Sequence, residues 1–192
     1  GDDRLCVYCK ADIAEQEPLP ASPEPVAAAE ETLEEKARAE LALRFLTRKR
    51  LLPFVERFNP DYQAGWVHKD ICKRLEDFSR DVTEKKSPRL MLFMPPRHGK
   101  STLASVAFPA WHLGRNPQHE FISCSYSGSL AMGFSRKVRG LLREEGFKSA
   151  FKTRLDPQSQ SAEAWLTTMG GGYVAAGVGG GITGKGAHIL VI

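Results

Sequence analysis

Residues 94–102, Met-Pro-Pro-Arg-His-Gly-Lys-Ser-Thr, constrain this chain more than any other stretch. An apolar run, residues 90–93, precedes them, and a helix-like run, residues 103–108, follows. The order predicted is strand (90–94), tight loop, helix (101–113), with Gly99, Lys100 and Ser101 at the turn. A phosphate group needs this arrangement. Loop amides and the helix N-terminus point at the anion, Lys100 adds a point charge, and the Ser101 hydroxyl is placed to hold a metal ion. The loop departs from the G-x-x-x-x-G-K-[ST] pattern, because Met94 stands where the first glycine belongs. Gly-Lys-Ser alone is a common tripeptide, and an ordinary strand-to-helix connection with a surface lysine is the competing reading.

The rest of the chain from Arg89 onward has an α/β texture. A second strand is expected at 121–126. A helix from Ser129 to about Glu145 would bury Leu130, Phe134, Val138, Leu141 and Leu142. Residues 164–178 read as a hairpin turning at Gly170-Gly171-Gly172, and a glycine-rich loop, 177–186, leads to a last buried strand at 188–192. Strands alternating with helices predict a mostly parallel sheet covered by helices on both faces. Upstream, a helical pattern starts near Glu31 and is broken or kinked at Pro53. A turn follows at 59–61, and then a helix from His68 to about Val82 with Ile71, Leu75 and Phe78 as its apolar stripe. Residues 11–30 are rich in Pro, Ala and Glu and cannot build a core, so a disordered acidic linker is expected there. The organisation read is 1–30 as a Cys pair and linker, 31–86 as a helical segment, and 87–192 as the α/β core. Neither Gly1 nor Ile192 looks like a natural terminus, so a piece of a longer chain is expected.

Charge divides the same way. The net of +4 combines −7 over residues 1–40 with +11 over residues 41–192. A basic body suits a polyanion such as DNA, though many basic domains bind none. No stretch is long and apolar enough to span a membrane. Cys6 and Cys9 form one C-x-x-C, half of a tetrahedral zinc site with no second pair in reach, so it is either a truncated knuckle or incidental. Cys72 and Cys124 read as buried free thiols.

Several side chains are candidates for chemistry. Arg97 is positioned to reach a γ-phosphate, and the same residue at a loop tip is often just solvated. Pro96, His98 and Thr102 complete the loop around it. Gln63, in Tyr62-Gln63-x-Gly65-Trp66-x-His68, has the donor and acceptor to pair with an adenine edge. Tyr62 and Trp66 would then stack near the base or anchor the core. Arg136, Lys137, Arg139 and Arg143 line one helix face, for DNA phosphates, for a neighbouring subunit's nucleotide, or for water. Strand 188–192 has the texture of the strand whose acidic end holds magnesium in phosphate-loop enzymes. The sequence stops where that acid is expected, so hydrolysis by this chain alone should be very slow.

Taken together, Asp61-Tyr62-Gln63-Ala64-Gly65-Trp66-Val67-His68, Phe93 through Ser101, Cys124-Ser125-Tyr126-Ser127 and Ala175 through Gly184 resemble the large terminase subunit of tailed bacteriophages and prophages. The resemblance covers roughly residues 40–192. It implies a P-loop NTPase of the additional-strand type using ATP and Mg2+, and a homo-oligomeric ring that drives double-stranded DNA into a procapsid. It also implies portal protein and small terminase subunit as partners, the cytoplasm of a bacterial host as location, and a DNA-cutting nuclease domain that these residues lack. By this resemblance Gln63 contacts adenine, and Arg97, Lys100 and Ser101 hold the phosphates and metal. Arg139, read from its helix face, is the candidate for donation to a neighbouring site. Another nucleic-acid-translocating ATPase, such as a helicase, and a non-catalytic DNA-binding or assembly module are the alternatives.

Overall fold

A computed structural model describes residues 32–182 and 184–192. The Cys6/Cys9 pair and the acidic linker lie outside the described residues. Helix α1 spans Leu33–Lys49 and opens on a capping box: the Thr32 hydroxyl accepts from Glu35 N–H, and the Glu35 carboxylate accepts from Thr32 N–H. Helix α2 spans Leu51–Phe58. Pro53 sits in its first turn, where a missing N–H costs nothing, so the break falls at Arg50 rather than at the proline. Glu76 fixes that corner by accepting from Leu51 N–H at 2.6 Å and from Arg50 at 2.8 Å. Helix α3, Trp66–Thr83, starts two residues earlier than its apolar stripe suggests.

After the loop at 95–101 the chain winds as a π-helical turn, Thr102–Ala107, before continuing as α4, Phe108–Arg115. The expected uninterrupted α-helix is therefore replaced by a composite. Strand β1 (Glu120–Ser125) leads to α5 (Gly128–Arg143), α6 (Glu145–Ala150), β2 (Leu155–Gln160), β3 (Ala164–Thr167), β4 (Gly172–Gly177) and β5 (Ile189–Val191).

The five strands form one sheet in the order β2-β3-β4-β1-β5. β1 is parallel to β4 and β5, while β2–β3 and β3–β4 are antiparallel. The sheet is thus evenly mixed, not mostly parallel, because the 164–178 hairpin contributes two strands and β2 extends it. Residues 90–94 do not join the sheet. Their burial alternates as a strand's does, with Leu90, Leu92 and Met94 half-buried and Met91 and Phe93 exposed. A strand also needs a ladder partner, and a groove separates this segment from the edge strand β5.

Register places an aromatic ladder across the sheet. Tyr173 on β4 pairs with Trp165 on β3 and with Phe121 on β1, and its ring stacks on theirs at 5.3 and 5.5 Å, nearly parallel. All three are fully buried, and the Trp165 indole donates to Ser135 Oγ on α5 at 3.0 Å. Where β4 ends, Gly177 lies backbone to backbone against Gly128, and a Cβ there would collide with the first turn of α5. Along α5, Val138 and Leu142 are buried, but Leu130 is about half exposed. The apolar face of α1 is also more open than its spacing implies. Leu41, Leu43, Phe45 and Leu46 are exposed, and Thr47 is the residue that packs inward, its carbonyl accepting from Trp111.

At the end of the sheet where β1 and β5 begin, three histidines meet. Buried His112 on α4 hydrogen-bonds Ser79 on α3 through Nδ1 (2.8 Å) and His119 through Nε2 (3.0 Å). His119 stacks on His188 at 4.2 Å, and His188 Nδ1 accepts from Glu120 N–H. Burial, with His119, Arg115 and His188 beside it, pushes His112 down to about 3.

Candidate functional site

The loop at 95–101 gains its shape from two left-handed residues, Arg97 (φ 66°) and Gly99 (φ 77°). An arginine pays a steric cost there that glycine escapes. His98, between them, holds the bend: its Nδ1 lies 2.8 Å from the Pro96 carbonyl, to which it donates. Helix winding begins at Lys100, and Leu103 N–H returns to Gly99 C=O at 3.0 Å. The amides of Lys100, Ser101 and Thr102 therefore belong to the first turn, where the helix offers no partner of its own. Lys100, Ser101 and Thr102 have exposed side chains.

The loop faces a groove of about 700 Å³. Leu90 and Leu92 line one side, Ile189 through Ile192 the other, and Lys100, Ser101, Cys124 and Ser125 its loop end. β1 and β5 are parallel and both finish here, so the groove opens at the carboxyl ends of adjacent parallel strands, where α/β sheets commonly take ligands. Cys124 is half-buried in this groove, not enclosed as expected.

On its other side the loop rests on the start of α3. The Tyr62 hydroxyl and the His68 ring lie 3.3 and 3.6 Å from where a Gly99 Cβ would stand. The two rings meet edge to face at 5.6 Å. The Tyr62 hydroxyl is buried without a hydrogen-bond partner, and burial raises its pKa. Gln63, next to it, is exposed, and Trp66 is 81% exposed, so Trp66 is no core anchor. The structure therefore brings Tyr62, His68, Pro96, Arg97, His98, Gly99, Lys100, Ser101 and Thr102 to one place. Arg139, half-buried on α5, is not among the groove's lining residues.

Two demands thus fall on Gly99, a left-handed backbone and close neighbours. Gly99→Ala is expected to cost about 1–2 kcal/mol from the backbone alone, read as a lowered urea midpoint. An unchanged midpoint would mean the loop relaxes out of this conformation.

The first-turn amides would suit phosphate oxygens and the Ser101 hydroxyl a magnesium ion bound to them, an ion that takes few protein ligands. Among the described residues no cluster of three or more His, Cys, Asp or Glu forms a metal cage. None of the helices described is long and apolar enough to cross a membrane.

The fold and groove define an α/β protein with a mixed five-stranded sheet and, near the ends of two of its parallel strands, a lysine-bearing loop that opens a helix. A family model, the N-terminal part of the T4likevirus-type terminase large subunit, matches residues 91–192, more than half of the chain, and the chain belongs to this family. No curated protein and no solved structure matches it.

Proposed function

We propose that this chain is the ATP-binding half of a DNA-packaging motor, a P-loop NTPase that takes ATP–Mg2+ at Gly99–Thr102. The observation that carries the reading is the loop itself: two left-handed residues, then open first-turn amides with Lys100 and Ser101, set at the carboxyl ends of β1 and β5. In this reading Lys100 neutralises phosphate charge, Ser101 holds magnesium, Arg97 reaches the terminal phosphate, and Gln63 reads the adenine edge. Pro96 and His98 hold the loop's bend, and Thr102 adds a first-turn amide. ATP would supply the phosphoryl-transfer free energy, and magnesium would neutralise its oxygens.

The same geometry supports the additional-strand fold as part of this reading. Residues 90–94 alternate like a strand, β5 has an open edge, and the groove between them is the place for one more strand. Family membership supports the further partners: double-stranded DNA on the basic body, the portal and small subunit, and a ring of copies in a bacterial host's cytoplasm. Arg139 is assigned to a neighbouring copy's nucleotide within that ring.

Calorimetric titration of ATP–Mg2+ tests the reading. Lys100→Ala is expected to weaken binding by about tenfold or more, as loss of a charge-assisted contact does. Equal binding by both proteins would remove Lys100, and with it the phosphate site, from the account.

A further inference from the structure

His68 makes two backbone contacts that together leave it no freedom. Its Nδ1 lies 3.1 Å from Gly65 N–H, which can only donate. Its Nε2 lies 3.1 Å from the His98 carbonyl oxygen, which can only accept. Both contacts are met by one form of the ring, a neutral imidazole with its proton on Nε2. The first contact also starts α3: Gly65 is the N-cap and His68 the third helical residue, so the ring caps the residue that opens its own helix.

The second contact fixes a peptide plane. In a trans peptide, C=O and N–H point in opposite directions. With the His98 carbonyl held toward α3, the Gly99 amide must point away from α3. This plane joins His98 to left-handed Gly99, and the glycine on its far side makes a flip of the plane sterically cheap. A flipped plane would turn the Gly99 N–H back toward His68 and present a carbonyl oxygen instead.

We infer that His68 is a positioning residue for the loop, locking the 98–99 peptide so that the Gly99 amide is offered as a donor to an anion. This rests on the phosphate-site reading above. The lock also ties the loop to the segment carrying Tyr62 and Gln63, since the ring that holds His98 also caps Gly65 at the start of α3.

The two contacts can be separated chemically. His68→Gln places an amide N–H near the Nε2 position and loses the Gly65 contact. His68→Asn keeps an acceptor near the Nδ1 position and cannot reach His98. ATP–Mg2+ titration is expected to give His68→Gln within about threefold of the parent and His68→Asn about tenfold weaker, with similar thermal midpoints for the two variants. Parent-like binding by His68→Asn, or equal loss in both variants, overturns the lock. Long-range proton–nitrogen NMR on the nucleotide-free chain reads it independently. A protonated Nε2 with a bare Nδ1 is expected at His68, as is a Gly99 amide resonance that moves in the Asn variant and stays in the Gln variant. The opposite tautomer refutes the lock whatever binds. If the parent does not bind ATP–Mg2+, or Lys100→Ala binds equally, the phosphate-site reading fails instead, and the NMR result alone decides the fate of the peptide lock.

Discussion

Lowering the pH from 7 to 5 is expected to cost the fold about 2 kcal/mol, and to pH 4 about 3 kcal/mol, through His112. Its folded pKa is pushed to about 3, below the ordinary 6.5, by burial first and then by His119, Arg115 and His188. A depressed pKa means that the unfolded chain binds the proton more readily. The stabilisation is therefore complete above pH 6.5 and is lost progressively as pH falls toward 3. His119, also lowered by burial and by His188, acts in the same direction. Glu40, held at about 2 by hydrogen bonds from Arg57 and Arg44, begins to lose its contribution only as pH falls through the ordinary carboxylate value of about 4.5, below the step from pH 7 to 5. Urea unfolding at pH steps from 7.5 to 5 should thus isolate the histidines. His112→Asn keeps a polar partner for Ser79 and removes the titration, so its stability should vary less with pH. A variant slope equal to the parent's would assign the acid sensitivity elsewhere.

Trp165→Ala is expected to cost about 3–5 kcal/mol, enough to threaten folding at ambient temperature. The side chain is fully buried, ends the stack with Tyr173 and Phe121, and joins β3 to α5 through Ser135. Removal leaves a cavity, an unpaired Ser135 hydroxyl and an open end to the ladder. Trp165→Phe separates these contributions, because it keeps a stacked ring and loses the hydrogen bond, at about 1 kcal/mol plus the smaller ring's lost contacts. Urea midpoints of the two variants report the difference. A loss under about 1 kcal/mol in Trp165→Ala would show that the sheet repacks without the ladder.

The local parts of the fold were legible in the residues. Apolar runs flanking Gly99-Lys100-Ser101 announced the loop, and three glycines between apolar stretches announced the β3–β4 hairpin. β2 gave no such signal. Leu155-Asp156-Pro157-Gln158 has no apolar alternation, and its proline is tolerated because the strand lies at the sheet's edge. Residues 90–94 carried a true strand pattern, but pairing depends on what stands beside a strand, and a local pattern carries no such information. Leu130 failed for a similar reason, since helical spacing names a face without saying how far a neighbour covers it. The histidine cluster joins residues 79, 112, 119 and 188, which no spacing rule connects. His68 could have been found. Gly65 and His68 stand at N-cap and third-position spacing, and starting α3 at Trp66 would have exposed it. In the candidate site, the loop residues and Tyr62 converge, whereas nothing in the sequence shows which surface Arg139 meets.

The π-helical turn at Thr102–Ala107 gives the helix after the loop an independent phase at each end. Bonding to the fifth residue back winds the backbone less per residue than an α-helix does, so the turn carries surplus chain. In an unbroken α-helix, the azimuth at which Lys100 and Ser101 leave the axis would dictate where Trp111 and Leu113 enter the core. Here the surplus absorbs the mismatch. The loop end can be aimed by its contacts with α3 while Trp111 keeps its place against Thr47. Substitutions that shift the core face of α4 need not re-aim the loop.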